Sequence, residues 1–296
     1  MKRKLLFILN PKAGKGRAID LHDLIKSSVP KEMEYSIEVF NTSEEFEKII
    51  STLHTQHYTD AIAVGGDGTI NSVAKNLVGN EITLGIIPQG SGNGLARTLG
   101  ISMDIKTSIE DIIKGKKAKI DHGTVNDIPF FCTSGIGFDA HIGNLFALSK
   151  KRGLKSYVKI TLREILRYKC KNYVIRLNGE ELKRKAYLIT IANAGQYGND
   201  FYIAPQAKLT DGKFHVVVLK PFNFFSAFGI FVKVLRGKAD RSRHIETFVT
   251  DKLTIEREGK DDIHFDGEPE FQGEKLDYIC HHQQLNVIVG QKFKTN

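Results

Sequence analysis

Apolar residues in the first 120 positions of the chain follow two alternating spacings. Short continuous apolar runs predict buried strands, and these runs are KLLFIL, YSIEVF, AIAVGG and ITLGII. Between the runs, apolar residues recur at helical spacing over 18–28, 43–55 and 69–78. Thr42 and Glu45 fit a capping box at the start of the second helix. This alternation predicts a Rossmann-like parallel sheet with crossover helices.

The pattern changes near residue 121. From there, β-type runs separated by Gly, Asn and Asp turns predict a mainly β domain, interrupted by helical segments near 150–169 and 222–236. We therefore predict an α/β domain over 1–122 and a β domain over 123–284. The last strand, at about 285–296, could return to the first domain.

Composition and charge narrow the classes of function. Hydrophobic residues make up 41% and charged residues 26% of the chain, and no apolar run is long enough to cross a bilayer. Cys132, Cys170 and Cys280 form no CxxC pair, and no HExxH sequence is present, which predicts a reducing cytoplasm and no zinc site. The formal charge of +9 favours an anionic partner: a nucleotide, a nucleic acid or an acidic membrane surface.

Three glycine-containing loops follow predicted strands of the first domain. They are NPKAGKG from Asn10, GGDGT from Gly65 and PQGSGNG from Pro88. Loops after parallel strands gather at one edge of a sheet, where ligands bind. None of them matches the Walker sequence GxxxxGK[ST] or the dinucleotide-binding GxGxxG, which excludes two common nucleotide-binding classes. Glycine still lets backbone amides approach a polyphosphate.

The acid inside the second loop needs an explanation, because a carboxylate repels phosphate. Asp67 would be useful if a divalent cation lay between it and the phosphates, or if a hydroxyl had to lose its proton. Phosphoryl transfer requires both. Lys12, Lys15 and Arg97 are the nearby cationic candidates for stabilising the transferred group.

Six motifs occur along the chain in an order that resembles a known family. They are Asn10-Pro11 with Gly14 and Gly16, GGDGTIN, PQGSGNGLAR, GIGFD, APQAKLTDGK and FDGEP. On these motifs the chain resembles the soluble bacterial lipid kinases, which are related to the catalytic domains of diacylglycerol, ceramide and sphingosine kinases. The resemblance covers the whole chain.

The resemblance implies an ATP-binding α/β domain of the NAD-kinase and diacylglycerol-kinase type, a β-sandwich lipid-binding domain and a catalytic cleft between them. ATP and Mg²⁺ are the implied cofactors. Carried over by position, the nucleotide-binding residues would be Asn10, Thr42, Gly65, Gly66, Asp67, Gly68, Thr69, Asn71, Ser91, Gly92 and Asn93. The implied catalytic acids are Asp67, Asp266 and Glu268, and which of them is the general base stays open.

A structural magnesium loop is also implied by the resemblance. Asp211 would supply a carboxylate there, and Lys208 and Lys213 would supply backbone carbonyls. Oxygen ligands of this kind suit magnesium. An exposed hairpin turn explains most triplets such as Asp266-Gly267-Glu268, but with the GGDGT loop in the same chain we prefer a functional role for these acids.

The implied reaction is ATP- and Mg²⁺-dependent phosphorylation of a lipid hydroxyl, with diacylglycerol as the first candidate. Many family members read G-T-x-N-D where this chain has Gly90-Ser91-Gly92-Asn93-Gly94, a variant closer to sphingoid-base kinases. A sphingoid-base kinase, an NAD kinase and a catalytically idle nucleotide-binding protein at a membrane surface remain alternatives. No nucleic-acid recognition motif is present, and a homodimer stays open.

An enzyme that acts on a membrane lipid is expected to be cytoplasmic and peripheral at the anionic inner membrane surface. Two segments are candidates for this contact. Residues 150–171 contain nine Lys or Arg and one acid, Glu164, although a solvated basic face over a core helix explains them equally well. The segment 221–238 carries five Phe residues, for which core packing is the preferred interpretation.

Overall fold

The computed structural model describes residues 2–14, 18–149, 154–165, 167–198 and 201–293. The chain divides into two compact units. Unit 1 consists of Met1–Ile120 and Gln283–Asn296, and unit 2 consists of Asp121–His282. Among the residues described, no helix combines the length and the apolar character that crossing a bilayer requires.

Unit 1 is built on a parallel sheet with the strand order β2-β1-β3-β4. Its strands are β1 (Lys4–Leu9), β2 (Glu34–Val39), β3 (Asp60–Gly65) and β4 (Thr83–Pro88). Its helices are α1 (Ala18–Ser28), α2 (Ser43–Thr55), α3 (Asp67–Lys75), α4 (Gly94–Thr98) and α5 (Ile105–Lys114). Two further strands, β5 (Lys117–Val125) and β16 (Lys275–Ile288), have residues in both units, and Val287 of β16 pairs in parallel with Leu84.

The sequence forms this sheet because its central strands are apolar at most positions. All residues of β3 and β4 are buried, as are five of the six in β1, which is typical of parallel strands covered on both faces. Phe7 packs with Ile25 of α1 and Ile112 of α5 in one hydrophobic cluster. The predicted parallel α/β architecture is therefore confirmed, although the pattern analysis did not include α4 and α5.

Unit 2 is mainly antiparallel. Its remaining strands are β6 (Ile128–Phe130), β7 (Thr133–Gly137), β8 (Lys171–Leu177), β9 (Glu180–Ala186), β10 (Leu188–Ala192), β11 (Phe214–Leu219), β12 (Ile245–Thr250), β13 (Lys252–Arg257), β14 (Asp261–Phe265) and β15 (Glu268–Gln272). One sheet has the order β12-β11-β10-β7-β14-β15, and β16, β13, β8 and β9 follow one another in the other. Its helices are α6 (Phe138–Leu148), α7 (Leu154–Glu164) and α8 (Phe224–Leu235), with a short 3-10 helix at Ala239–Arg241.

The core of unit 2 lies between its two sheets. Phe130 stacks on Phe214 with ring centroids 5.6 Å apart, and both rings are fully buried. Tyr173 and Tyr278, which lie in the same sheet as Phe130 and opposite Phe214, belong to the same cluster. The predicted β sandwich is therefore confirmed. The helix α6 was not predicted, because its residues FDAHIGNLFAL are apolar on most sides and show no clear helical stripe.

The buried carboxylate of Asp60 holds the first residues of the chain against the rest of unit 1. Asp60 has no exposed side-chain surface and is bound by Arg3 at 3.2 Å and by Lys117 at 3.2 Å. Thr59 donates a hydrogen bond of 2.5 Å to the same carboxylate. Arg3 also donates to the carbonyls of Ile112 and Ile113 at the end of α5. The first residues of the chain are thus tied to β3 and α5.

Replacing Arg3 should destabilise unit 1 because it removes a partner from a buried charge. We expect Arg3→Met to lower the free energy of unfolding by about 2 to 3 kcal/mol, measured by urea denaturation. Lys4→Met is the matched control, since Lys4 pairs with Glu34, whose side chain is 58% exposed. Such a pair contributes at most about 1 kcal/mol. Equal losses in the two variants would contradict this account of Asp60.

Candidate functional site

The three glycine-containing loops of unit 1 lie against one another. A Cβ atom on Gly90 would lie 2.9 Å from the Cα of Gly66, so the second and third loops meet backbone to backbone. The first loop joins them through Asn10, whose Nδ2 donates to Oγ1 of Thr69 at 3.0 Å. A Cβ atom at Gly90 would be too close to the backbone of Gly66, and one at Gly66 would lie in tight contact, 3.3 Å from the Cα of Gly90. The sequence-based expectation that these loops converge agrees with this arrangement.

The carboxylate of Asp67 holds the second and third loops together. Its Oδ2 accepts the N–H of Asn93 at 2.9 Å, and its Oδ1 accepts the N–H of Gly94 at 2.8 Å. These two groups form the N-terminus of α4, where backbone N–H groups favour a negative charge. A Cβ atom on Gly92 would lie 2.8 Å from Oδ2, so a larger residue at this position would displace the carboxylate. The charge that seemed unsuited to a phosphate loop is therefore compensated by backbone donors.

The third loop is closed by its own side chains. Asn93 adopts a left-handed conformation with φ of 51°, and its amide bonds the N–H and the carbonyl of Gly90 at 3.0 and 2.7 Å. Nε of Arg97 donates to the carbonyl of Gly92 at 3.0 Å. Ser91 is exposed and bonds no described residue through its side chain. The contacts predicted between a nucleotide and Ser91, Gly92 or Asn93 stay predictions, and Ser91 is the one with a free hydroxyl.

A cavity of about 230 Å³ lies beside these loops in unit 1. Its lining residues are Asn10, Lys12, Phe40, Asn41, Thr42, Ser43, Phe46, Gly68, Thr69 and Ser72. The rings of Phe40 and Phe46 have centroids 5.1 Å apart, and the ammonium of Lys12 donates to the carbonyl of Asn41 at 3.1 Å. The cavity wall thus combines aromatic, cationic and hydroxyl groups.

The start of α3 contributes backbone donors to the same cavity. The N-cap is Gly66, no side chain caps the helix, and the first helical hydrogen bond runs from Ile70 to Gly66. The N–H groups of Gly68 and Thr69 therefore belong to the unsatisfied first turn, which is a ready site for an anion. Asn71 is buried further along α3, and Lys15 lies outside the described residues.

Thr42 has a structural role at the rim of this cavity. Its Oγ1 accepts the N–H of Glu45 at 3.2 Å and so caps α2. Glu45 reaches back to the N–H of Asn41 at 2.6 Å, one residue before the group that a standard capping box would bond. The predicted capping box is therefore present, but Glu45 bonds the N–H of Asn41 instead of the N–H of Thr42. Thr42 is held in place by the cap at the cavity wall.

In unit 2, Asp266 and Gly267 form the two-residue turn of a β hairpin. Both have positive φ, 52° and 88°, as the tight turns between β14 and β15 require. Although Asp266 keeps partial exposure as a residue, its carboxylate is enclosed by three backbone N–H donors. These donors are Phe131, Cys132 and Thr133, at 2.8, 2.6 and 2.8 Å. The hairpin is thereby anchored to the start of β7.

Burial raises the pKa of the Asp266 carboxyl, and the three N–H groups oppose that shift.

Glu268 differs from both other candidate acids. It is exposed, and its carboxylate makes no hydrogen bond or ion pair with any residue in the described part of the chain. Of the three predicted catalytic acids, Asp67 and Asp266 bind backbone donors, and Glu268 alone presents an unoccupied carboxylate.

A buried polar network that the sequence did not reveal supports the hairpin. Oδ2 of Asp139 accepts from the hydroxyls of Thr190 and Tyr197, each at 3.1 Å, and lies 3.2 Å from Nε2 of His264. Nδ1 of His264 in turn accepts the N–H of Gly267 at 3.4 Å. The network joins the GIGFD motif to the FDGEP motif. A single buried histidine carries no motif, so the sequence offered no signal for His264 beyond its position two residues before Asp266.

The predicted magnesium loop is a turn in unit 2 that is tied to a buried acid. Asp211 is exposed, and its Oδ1 accepts the N–H of Lys213 at 3.0 Å. Asp121 is buried and accepts the N–H of Gly212 at 2.6 Å while contacting His282 at 2.8 Å. The described residues contain no cluster of three or more His, Cys, Asp or Glu side chains suited to a metal. A cation here would therefore need backbone carbonyls such as those of Lys208 and Lys213 beside Asp211, a donor set that fits Mg²⁺.

Comparison with known proteins covers both units. The sequence matches the diacylglycerol kinase catalytic domain over residues 4–125 and the YegS C-terminal NAD kinase beta sandwich-like domain over residues 133–288. It is 29% identical over 212 residues to a protein named diacylglycerol kinase from Bacillus subtilis, covering 70% of each chain. It is 31% identical over 225 residues to an uncharacterised protein of Synechocystis, covering 71% of this chain but only about half, 52%, of that relative.

A solved structure described as a diacylglycerol kinase from Bacillus anthracis has the same fold. Its TM-score is 0.77 at 22% sequence identity, and the match covers 99% of this chain and 98% of that chain. At this identity the likeness supports the fold alone. The fold prediction, an α/β domain of the diacylglycerol-kinase type followed by a β sandwich, is confirmed.

The different surroundings of Asp266 and Glu268 predict different effects on stability. Asp266→Asn places an amide N–H against backbone N–H groups, so we expect the free energy of unfolding to fall by about 2 to 3 kcal/mol. Glu268→Gln should change it by less than about 0.5 kcal/mol, because its side chain is exposed and unpaired. Thermal and urea denaturation of the two variants measure this difference. A destabilised Glu268→Gln protein, or an unaffected Asp266→Asn protein, would contradict the assignment.

Proposed function

The chain belongs to the family described by the diacylglycerol kinase catalytic domain and the YegS C-terminal beta sandwich-like domain, and from this premise we propose that it is an ATP-dependent lipid kinase. The reaction would transfer the γ-phosphoryl group of ATP to the hydroxyl of a lipid alcohol. The observation that carries the proposal is the uncapped start of α3 beside a cavity that also holds the Lys12 ammonium. Uncapped helix N-termini and cations are the groups that bind phosphates.

Unit 1 supplies the groups that a nucleotide needs. The phosphates would bind the N–H groups of Gly68 and Thr69, with Lys12 balancing part of their charge. Phe40 and Phe46 offer apolar surface for the base. Asp67 would hold the third loop in position, leaving the Ser91 hydroxyl exposed for a further hydrogen bond. This division of roles explains why a phosphate site contains an acid.

Magnesium would have two roles in this proposal. Bound with ATP, it would neutralise charge on the transferred phosphoryl group. In the loop at Asp211 it would hold the turn against β11, with the carboxylate and neighbouring carbonyls as ligands. The described residues fit the second role through oxygen donors, since Asp211 keeps one carboxylate oxygen without a described hydrogen-bond partner.

Glu268 is the residue we propose as general base. A base must have a free lone pair within reach of the hydroxyl whose proton it takes. Asp266 uses its carboxylate to bind three backbone donors, whereas Glu268 follows directly on the same rigid turn and is unoccupied. The lipid oxygen would form a bond to the γ-phosphorus as the bond to the β,γ-bridging oxygen of ATP breaks. Glu268 would receive the proton, and the products would be ADP and a lipid phosphate.

Diacylglycerol is the substrate we propose first. The support is the diacylglycerol kinase catalytic domain match and the Bacillus subtilis relative that carries this name. The SGNG sequence of the third loop is the feature that keeps a sphingoid base as the alternative substrate.

A transfer assay tests both reaction and substrate. The purified protein, γ-labelled ATP and magnesium would be incubated with detergent-dispersed diacylglycerol, monoacylglycerol, sphingoid base or ceramide, or with NAD. We expect label in diacylglycerol, no label after chelation of magnesium, and a rate at least about 100-fold lower in Glu268→Gln. Glu270→Gln, an exposed acid on the same strand, is the matched control and should retain its rate.

The outcomes separate the candidate functions. Label in the sphingoid base alone would change the substrate and keep the reaction class. Label in NAD alone would contradict the lipid kinase proposal. ATP binding without transfer to any acceptor would favour an idle nucleotide-binding protein, and full activity of Glu268→Gln would remove its role as base.

A further inference from the structure

The helix α8 in unit 2 presents large apolar side chains to solvent. Phe225 and Phe228 are 88% and 75% exposed, and Phe231 and Leu235 are 49% and 46% exposed. These four residues, which we call the α8 aromatic face, fall on one side of the helix. The opposite side carries Ile230 and Val234, which are buried in the core. Core packing, the preferred interpretation of this segment from sequence, therefore holds for only one side of the helix.

Large apolar side chains exposed together on one helix indicate a binding surface. Scattered apolar residues on a surface are ordinary, but contiguous apolar patches mark sites of interaction with proteins, ligands or membranes. The α8 aromatic face consists of three phenylalanines and a leucine within eleven residues of one helix. Phe225 and Phe228 bury little surface in unit 2, because the packing of α8 uses the opposite side, whereas Phe231 is half buried and contacts the ring of Phe201.

The charged residues around α8 indicate what kind of partner would bind there. The helix contains no acid, and the segment Lys220–His244 holds six Lys or Arg residues against the single acid Asp240. Four of these basic residues are exposed: Arg236, Lys238, Arg241 and Arg243. Phenylalanine beside exposed Lys and Arg is typical of helices that lie in the interface of an anionic bilayer.

A second copy of the chain fits this surface less well. A symmetric dimer through the α8 aromatic face would bring the same basic residues of two chains towards each other. Like charges at such an interface are unfavourable, whereas anionic lipid headgroups would neutralise them.

We propose that the α8 aromatic face is the docking surface for an anionic lipid bilayer. Phe225, Phe228 and Phe231 would enter the boundary between headgroups and acyl chains, and Arg236 and Lys238 would contact the headgroups. The inference rests on the proposed function, since a kinase for a lipid alcohol must meet its substrate in a membrane. It adds to the proposed function the site of membrane contact, which lies in unit 2.

Vesicle sedimentation tests the inference without any turnover. Full-length protein would be mixed with vesicles of phosphatidylcholine containing phosphatidylglycerol, or of phosphatidylcholine alone, in the absence of ATP. We expect binding to the anionic vesicles that weakens as salt rises. Phe225→Ala/Phe228→Ala should reduce the affinity at least about tenfold. Arg236→Gln/Lys238→Gln should reduce both the affinity and its salt dependence.

The matched control removes exposed apolar side chains elsewhere in unit 2. Phe271 and Val249 are 64% and 48% exposed on β15 and β12, and Phe271→Ala/Val249→Ala should bind vesicles as the parent protein does. Parent-like vesicle binding by Phe225→Ala/Phe228→Ala would overturn the inference, as would failure of the parent protein to bind. Dimerisation in sedimentation velocity that this double variant abolishes would assign the face to a second copy and also overturn it.

This test is independent of the kinase proposal. Phosphorylation of detergent-dispersed lipid by a protein that does not bind vesicles would overturn the docking surface and leave the kinase. Vesicle binding through α8 by a protein that transfers no phosphate to any acceptor would support the docking surface and overturn the kinase proposal.

Discussion

The bond between the Asp67 carboxylate and the N–H groups of Asn93 and Gly94 is the interaction on which the candidate site of unit 1 depends. Glycine-rich loops have few side chains with which to pack, so a polar anchor must fix their relative position. Asp67 provides that anchor at the start of α3. Gly92 leaves room for its carboxylate, and Gly66 and Gly90 let the two loops approach each other. The uncapped N-terminus of α3 can then remain available for an anion.

Unit 2 uses a carboxylate in a similar way. Asp266 collects three backbone N–H groups and holds the β14–β15 hairpin against β7. The Asp139–His264 contact adds a second tie to the same turn through the N–H of Gly267. Two acids that look catalytic in the sequence are therefore also structural anchors, and the free carboxylate is the neighbouring one, Glu268. Rigid support of this kind is what a group that must meet a substrate precisely requires.

Features set by local patterns could be predicted from the sequence. The mostly apolar runs of β3 and β4 and the helical spacing of α2 indicated the parallel sheet, and the turn residues after residue 121 indicated the sandwich. The helix α6 could not be found this way, because it is apolar on most sides. The partners of Asp67 lie 26 and 27 residues away, and those of Asp266 more than 130. Such contacts depend on how the strands bring loops together, which no local spacing records.

The most direct test of this account is the affinity of ATP for the Asp67→Asn protein, measured by calorimetry in the absence of lipid. If Asp67 organises the loops, an amide in its place cannot accept both N–H groups, and ATP affinity should fall at least about tenfold while the fold is retained by circular dichroism. Asp23→Asn, an exposed acid on α1, is the control and should bind ATP normally. Unchanged ATP affinity in Asp67→Asn, with only phosphoryl transfer lost, would show that Asp67 acts in the chemistry and would contradict the anchoring role.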